Sequence, residues 1–473
     1  VTATAPAAVN IAGTIGSTDQ NMTFGNITLT GNATLVSGSG VIITDDVTDG
    51  AGNHTLTVGS TTQTGRIALE GDVTIAGLVS AEGGYHLYLL GATNSFTDEV
   101  TLLNNLAVTI GDELTDDTLF AGGLNIADVS NQTFLIGTIR SAGNEIAVDR
   151  VSLVGNATID TTNGGANPAG ATVTLEDQVL LNGFTLTTEG GTSASTDITG
   201  TATIDFGRLV VETGDLNLGD GPEPGNITVT GNTSIEVANG SLGVSNGSVI
   251  DAGNNSLTLK SDGIFISSGA DSITAGDITL APYTLGTNIS LGTATGTGVV
   301  INQTALDALN AAVVTIGEPG NNGTVTVGNT TLASPRLDII ANGTGGRVVQ
   351  TGDFISTATG TPGDIGLQVY GSGATYVLGA DIVSNTGVVI LDALEVSGGS
   401  RTIDTSGGNA AIQVTGGIDG IYAASGETTN SLTIAAGTGN VFLGQFAGFG
   451  NANGTGEYID NLTINAGFTN LYA

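Results

Sequence analysis

Three stretches of the chain repeat one phrase of alternating apolar and polar residues. They are NITLTGNATL at residues 26–35, VSLVGNATID at 151–160 and NITVTGNTSIEV at 226–237. Similar short runs, separated by Gly and Asn, continue along the chain without a lasting break. Self-similarity on this scale is typical of small units that bury their apolar faces only against their neighbours. The sequence therefore predicts a stack of repeats and not a globule.

The predicted strands are short and closely spaced. Alternation of apolar residues with Thr, Ser and Asn predicts strands at 55–58, 66–69, 73–75 and 86–90, with Gly and Asn at the corners between them. Within residues 257–284 the strands recur at roughly 9–11 residues, which favours a coiled parallel stack over an antiparallel meander. At about 4.8 Å per coil, on the order of twenty coils would form an elongated rod of about 100 Å. An array of β-sandwiches, the alternative, would show boundaries about every 100 residues, and none is visible.

We predict an all-β chain that forms a single continuous β-solenoid over residues 1–473, with two interruptions. DGPEPGN at 220–226 contains two prolines and predicts a loop outside the strand ladder. TALDALNAAV at 304–313 places Leu306, Leu309 and Val313 at helical spacing. This spacing predicts a short helical insertion over 304–313, followed by a strand at 314–316.

Composition and charge exclude several classes of function. The 473 residues include 76 Gly, 44 acidic and eight basic residues and no Cys, with a net charge of −36. This charge repels phosphate backbones, so nucleic acid is not an expected partner.

Since no apolar run reaches about 18 residues, we predict that the chain does not span a membrane. The first ten residues lack a basic and an apolar segment and are not expected to be a signal peptide.

The second half of the chain carries a resemblance to a known family. The relevant stretches are ITAGDITLAP, ALDALNAAVVTIG and RLDIIANGTGGRVVQTGD within 273–353, LGADIVSNTGVVILDALEVSGG within 378–420, and NSLTIAAGTGNVFLGQFAG within 430–467. They resemble the repeats of filamentous-haemagglutinin-type bacterial exoproteins, many of which are exported by two-partner secretion. The resemblance implies a right-handed parallel β-helix, export, and an extracellular or cell-surface location. It does not separate adhesion from matrix building, because the motif is structural.

Two acidic clusters are candidate metal sites. Oxygen-rich loops can bind calcium, although no EF-hand spacing is present and solvated loop charge is the alternative. Calcium is the one cofactor that the sequence suggests. The candidate ligands in the first cluster are Asp45, Asp46 and Asp49. Those in the second cluster, which also contains Glu113, are Asp112, Asp116 and Asp117.

The chain also contains 18 N-x-S/T sequons, which could accept glycans in a host with the right transferase. Alternatively, Asn side chains at the corners form hydrogen-bond ladders along the stack. The candidate glycosylation sites are Asn26, Asn32, Asn156, Asn232, Asn329 and Asn461.

We expect a non-enzymatic extracellular structural protein whose rods self-associate into a filament, sheath or matrix on or around a prokaryotic cell. VTATAPAAVNIAG and LTINAGFTNLYA are apolar and strand-like, with few charges to block a sheet edge, so further copies of the chain are the expected partner. The first alternative is the rigid shaft of a surface adhesin that binds host or neighbouring-cell glycans. The second is a polysaccharide lyase or hydrolase of the β-helix class, which is disfavoured because neither His54 nor His86 has a basic cluster nearby.

Overall fold

The protein is almost entirely β-structure, as predicted. The structure, a computed structural model, has 59% strand and 1% helix. It divides into two compact units, Val1–Gly240 and Ser241–Ala473. The continuity of one solenoid over 1–473 stays a prediction. The described residues are 9–50, 52–126, 132–199, 201–220, 225–341, 346–357, 365–371, 374–385, 387–421, 430–445 and 459–471.

The described residues of the first unit form short strands with alternating burial. These strands are β1 (Val9–Gly16), β2 (Met22–Thr23), β3 (Ile27–Val36), β4 (Ile42–Thr44), β5 (Val47–Thr48), β6 (Thr55–Val58), β7 (Ile67–Leu69), β8 (Val73–Ile75), β9 (Gly77–Gly83), β10 (His86–Leu89), β11 (Thr93–Phe96), β12 (Val100–Asn104), β13 (Ala107–Ile110), β14 (Asp117–Phe120), β15 (Leu124–Ile126), β16 (Gln132–Arg140), β17 (Ile146–Asp160), β18 (Val173–Leu180), β19 (Thr185–Glu189), β20 (Ser195–Thr199), β21 (Thr201–Ile204), β22 (Gly207–Thr213), β23 (Asp215–Asp220), β24 (Asn226–Val229) and β25 (Thr233–Val237).

Strands of the first unit pair in parallel, commonly with the third strand after them. Ile42 on β4 pairs with Ile67 on β7, which pairs with Leu87 on β10, which in turn pairs with Val108 on β13. In the same way, β5 pairs with β8 and β8 with β11, while β6 pairs with β9 and β9 with β12. A parallel partner requires the chain to return to its starting side, so each return takes three strands and 20 to 25 residues along this row.

The second unit has the same kind of short strands and one helix. Its elements are β26 (Leu242–Val244), β27 (Val249–Asp251), β28 (Ser256–Ser261), β29 (Ile264–Ile266), β30 (Ile273–Ala281), β31 (Ile289–Gly292), β32 (Val299–Asn302), α1 (Gln303–Asp307), β33 (Leu309–Ile316), β34 (Thr324–Val327), β35 (Thr330–Leu332), β36 (Arg336–Ile340), β37 (Arg347–Gln350), β38 (Phe354–Ser356), β39 (Ile365–Tyr370), β40 (Thr375–Leu378), β41 (Ile382–Ser384), β42 (Val388–Leu391), β43 (Ala393–Ser397), β44 (Ser400–Asp404), β45 (Ile412–Val414), β46 (Ile418–Ile421), β47 (Ser431–Ala435), β48 (Asn440–Leu443), β49 (Asn461–Asn465) and β50 (Phe468–Leu471).

Three rows of parallel strands organise the second unit. One row runs β30, β33, β36, β39, β42, β45, β48 and β50, each paired with the next. A second runs β31, β34, β37, β40, β43 and β46, and a third runs β35, β38, β41, β44, β47 and β49. β32 also pairs with β31, the strand before it in the chain. From β33 onward, successive strands belong to different rows, which is the pattern that short strands with wide corners predict.

The interior is filled by columns of stacked aliphatic side chains. Leu69, Leu89, Ile110 and Leu135 pair in sequence on four neighbouring strands, and all four are buried. Alternate residues of each strand point inward, so one column uses one position per strand. Val, Ile and Leu fit such columns because β-branched and aliphatic side chains pack well on a pleated surface.

One corner of the first unit requires a glycine. Gly59 has a φ of 80°, and a Cβ atom there would lie 2.5 Å from the Tyr85 ring. The buried Tyr85 hydroxyl lies 2.8 Å from the carbonyl oxygen of Val58 and 2.9 Å from that of Ala81, and its one proton is shared between these two acceptors. The tyrosine therefore links β6 to β9 in the space that the missing side chain leaves.

The predicted helix over 304–313 is wrong beyond its first turn. Helix α1 ends at Asp307, and its N-cap Asn302 accepts a hydrogen bond from the Ala305 backbone at 2.9 Å. Leu309 and Val313 lie instead on β33, which contains the predicted strand at 314–316 and pairs with β30 on one side and β36 on the other. Pairing on both edges outweighs the local helical spacing.

The predicted loop at 220–226 lies largely outside the described residues, since only Asp220, the end of β23, and residues from 225 onward are described. In the described part of the chain, no helix has the length and apolar character needed to cross a bilayer.

Among the described residues, two buried side-chain polar atoms lack a hydrogen-bond partner, the hydroxyls of Thr44 and Thr133. Because an unbonded buried hydroxyl destabilises the native state, Thr44→Val should raise the free energy of unfolding by about 1 kcal/mol, measured by denaturant titration. The matched variant is Thr118→Val, since Thr118 is also buried but accepts a hydrogen bond from Asn94 at 3.1 Å. It should lower the free energy of unfolding. Equal effects of the two variants would contradict the assignment.

Candidate functional site

The first acidic cluster does not form a common site. Asp45 is exposed, whereas Asp46 Oδ1 accepts a hydrogen bond from the Asp72 backbone at 3.0 Å and Oδ2 accepts one from the Asn26 side chain at 3.3 Å. Asp46 therefore bridges strand ends on either side of it in the stack. Its two oxygens are already used as acceptors for groups of the chain.

Asp49, the third member of this cluster, forms an ion pair with His54. Its carboxylate contacts the His54 Nδ1 atom and also accepts from the His54 backbone nitrogen at 2.7 Å. Asp49 is buried, and Gly52 leaves room for the ring, because a Cβ atom there would lie 1.9 Å from His54 Cε1. The arrangement fixes the imidazole through Nδ1 and leaves Nε2 directed away from the carboxylate. Sequence reasoning missed this pair.

A shallow cleft of about 450 Å³ lies beside Asp49. Four of the residues that line it carry hydroxyl groups: Thr48, Thr74, Ser95 and Thr97. His54 is not among the lining residues. The cleft thus offers hydrogen-bonding groups and one carboxylate, and the imidazole next to it serves to hold that carboxylate in place.

The second acidic cluster is organised around Asp116. Its Oδ2 atom accepts hydrogen bonds from the backbone nitrogens of Asp112 at 2.8 Å and Glu113 at 2.9 Å. Asp117 points elsewhere and forms a two-fold ion pair with Arg140. Loss of hydration raises the pKa of Asp112 despite its position at the surface, and the carboxylates of Asp116 and Glu113 raise it further.

Neither cluster shows a converged set of metal ligands. Among the residues that the structure describes, no group of three or more His, Asp or Glu side chains is placed to hold a metal ion. Calcium binding by Asp45, Asp46, Asp49, Asp112, Asp116 and Asp117 stays a prediction.

All six candidate glycosylation residues are exposed. The side-chain oxygens of three of them accept a backbone N–H from the following repeat: Asn32 from Thr55 at 3.0 Å, Asn156 from Thr185 at 3.0 Å and Asn329 from Asp353 at 2.9 Å. The amide nitrogens of Asn26 and Asn461 donate to the side chains of Asp46 and Ser431, each at 3.3 Å. Asn232 is exposed at a corner. Glycosylation at these positions stays a prediction.

In the second unit such contacts join into a ladder. Asn329 accepts from Asp353, whose Oδ1 accepts from the Asp381 backbone at 3.1 Å, and Asp381 Oδ1 accepts from the Thr402 backbone at 2.7 Å. Each member occupies an equivalent corner and uses its side chain to fix the start of the next repeat. A corner ladder is therefore present, but two of its three acceptors are Asp and not the Asn side chains that the sequence predicted.

Every basic side chain of the chain is engaged. Arg66 lies over the Tyr88 ring at 5.9 Å, and Arg401 donates to the carbonyl oxygen of Ser397 at 2.8 Å. The other six form ion pairs: Arg140 with Asp117, Arg150 with Asp177, Arg208 with Glu236, Lys260 with Glu318, Arg336 with Asp338 and Arg347 with Glu395.

Comparison with known protein families, with curated proteins and with solved structures yields no match to this chain. Function must therefore be inferred from the residues and their geometry.

Because the pKa of Asp112 is raised, replacing this carboxylate with a neutral side chain should stabilise the folded protein, and the effect should depend on pH. A carboxyl whose pKa is higher in the folded state favours folding below its ordinary pKa and loses that contribution as pH rises. Asp112→Asn should therefore raise the melting temperature at pH 7 and leave it nearly unchanged at pH 3, measured by calorimetry.

Asp98→Asn is the matched control, because Asp98 is exposed and its substitution removes the same formal charge. An equal rise in both variants would trace the effect to net charge and not to the Asp112–Asp116 contact.

Proposed function

We propose that this chain is a right-handed parallel β-helix that acts outside a prokaryotic cell as a structural protein, its coils associating edge to edge into a filament, sheath or matrix. Parallel pairing of many strands with the third strand after them supports the coil. The right hand is supported by the general rule that crossovers between parallel strands of one sheet are right-handed. The extracellular location rests on the resemblance of residues 273–467 to exoprotein repeats.

The observation that carries the proposal is the exposure of apolar side chains on β50 in the second unit. β50 pairs with β48 and β49 with β47, and in the described residues no strand covers their other side. Leu443 on β48 is fully buried, whereas Leu471, its register partner on β50, is 54% exposed. Phe468 on the same strand is 57% exposed. One more layer of strands would bury these side chains as the layer before them is buried.

In the first unit, β1 lies at the side of the sheet within the described residues. β1 pairs with β3, and among the described residues its other side has no strand partner. An edge with unpaired N–H and C=O groups is a template for another strand. Since the β1 edge and the β50 edge are different surfaces, contact between copies would be heterologous, and a heterologous contact that does not close produces an open filament.

Assembly should depend on concentration and on the β50 edge. We expect the sedimentation coefficient of the purified chain to rise with concentration, and electron micrographs to show linear particles. The double variant Phe468→Lys/Leu471→Lys should sediment as a single species, because charges on an edge oppose strand addition.

The control is Leu106→Lys/Leu114→Lys, which adds the same charge at side chains that are 57% and 62% exposed away from that edge. This control should assemble like the unmodified chain. A single species at every concentration of the unmodified chain, or equal loss of assembly in both double variants, would refute edge-to-edge association and favour the shaft of an adhesin.

A further inference from the structure

Aromatic side chains are concentrated on one outward sheet face of the first unit. Arg66, His86, Tyr88, Thr109 and Phe134 form this group, called here the aromatic patch. The His86 and Tyr88 rings stack with centroids 3.9 Å apart and an interplanar angle of 22°, and the Phe134 ring lies 6.0 Å from His86. Only 20 of the 473 residues are Phe or Tyr, so this grouping is unusual for the chain.

The strand register places these rings on the same side of the sheet. Tyr88 on β10 pairs with Thr109 on β13, which pairs with Phe134 on β16. Leu87 and Leu89, which flank Tyr88, are buried, while Tyr88, Thr109 and Phe134 are half-buried. Tyr88 and Phe134 are thus two strand spacings apart, roughly 10 Å, with a small hydroxyl residue between them.

Polar groups border the rings. The Arg66 guanidinium lies 5.9 Å from the centre of the Tyr88 ring, and in the described residues it forms no ion pair with a carboxylate. The His86 Nε2 atom lies 2.8 Å from the Thr109 hydroxyl. Burial lowers the pKa of His86, so the imidazole is neutral at pH 7 and acts as a hydrogen-bonding group.

We propose that the aromatic patch binds a neutral oligosaccharide. A pyranose ring presents an apolar C–H face that stacks on an aromatic ring, and its hydroxyls match the fork of donors of a guanidinium. Charge disfavours an acidic ligand, because the net charge of −36 repels polyanions. This site is independent of the edge-to-edge assembly, since its residues lie on strands β10, β13 and β16 and beside β7.

Isothermal titration with cellohexaose, xylohexaose and chitohexaose as neutral probes, and hexagalacturonate as the acidic probe, tests the proposal on the full chain. At least one neutral probe should bind, and both Tyr88→Ala and Phe134→Ala should weaken that binding by about tenfold or more. Phe265→Ala, which removes an exposed aromatic ring from the second unit, should leave it unchanged. Proton NMR of the unmodified chain adds a readout that requires no variant: the ring signals of His86 should shift on titration, and those of His54 should not.

Three results would overturn the assignment. They are the absence of binding by all neutral probes, binding by hexagalacturonate alone, and neutral binding that survives both ring variants or leaves the His86 signals unmoved. Because the Phe468 and Leu471 variants leave the patch intact, loss of assembly and loss of saccharide binding are separable outcomes.

Discussion

Parallel backbone pairing between a strand and the third strand after it is the constraint on which the structure depends. It fixes the number of residues in each return of the chain, and it places like positions of successive repeats one above another. Each inward position therefore continues a column such as Leu69, Leu89, Ile110 and Leu135. A shift of one residue in any strand would turn its apolar side chains to the solvent, so register and core composition enforce each other.

The same constraint organises the polar surface. Arg140 reaches Asp117 across 23 residues of sequence, and Arg208 reaches Glu236 across 28, in each case because the register brings their strands together. The corner acceptors Asn329, Asp353 and Asp381 act across the same interval. These ion pairs and the corner ladder thus join adjacent repeats.

The strands were predictable where alternation alone determines them. The predicted strands at 55–58 and 73–75 coincide with β6 and β8, and those at 66–69 and 86–90 exceed β7 and β10 by one residue each. The prediction failed at Leu309 and Val313, because apolar residues at helical spacing from Leu306 also fit a strand once both of its edges are paired. Short apolar runs carry this ambiguity in general, and only neighbouring strands resolve it.

The contacts of the candidate sites were less predictable, because they depend on which repeats become neighbours. The acidic residues could be named from the sequence, but the link from Asp46 to Asp72 and the ion pair of Asp49 with His54 follow from corner geometry. The aromatic patch has the same origin. Tyr88 and Phe134 are 46 positions apart in sequence, and only the pairing of β10 with β13 and β13 with β16 places them on one face.

The engagement of all eight basic side chains leaves most of the 44 acidic residues without a positive partner. Electroneutrality then has to come from mobile cations held around the chain within about one Debye length, ~8 Å at physiological salt. In a concentrated layer of such molecules the osmotic pressure of these trapped counter-ions draws in water. The layer behaves as a polyelectrolyte gel, swollen in dilute media and collapsing as external salt rises, with a thickness that reports the ionic strength around it.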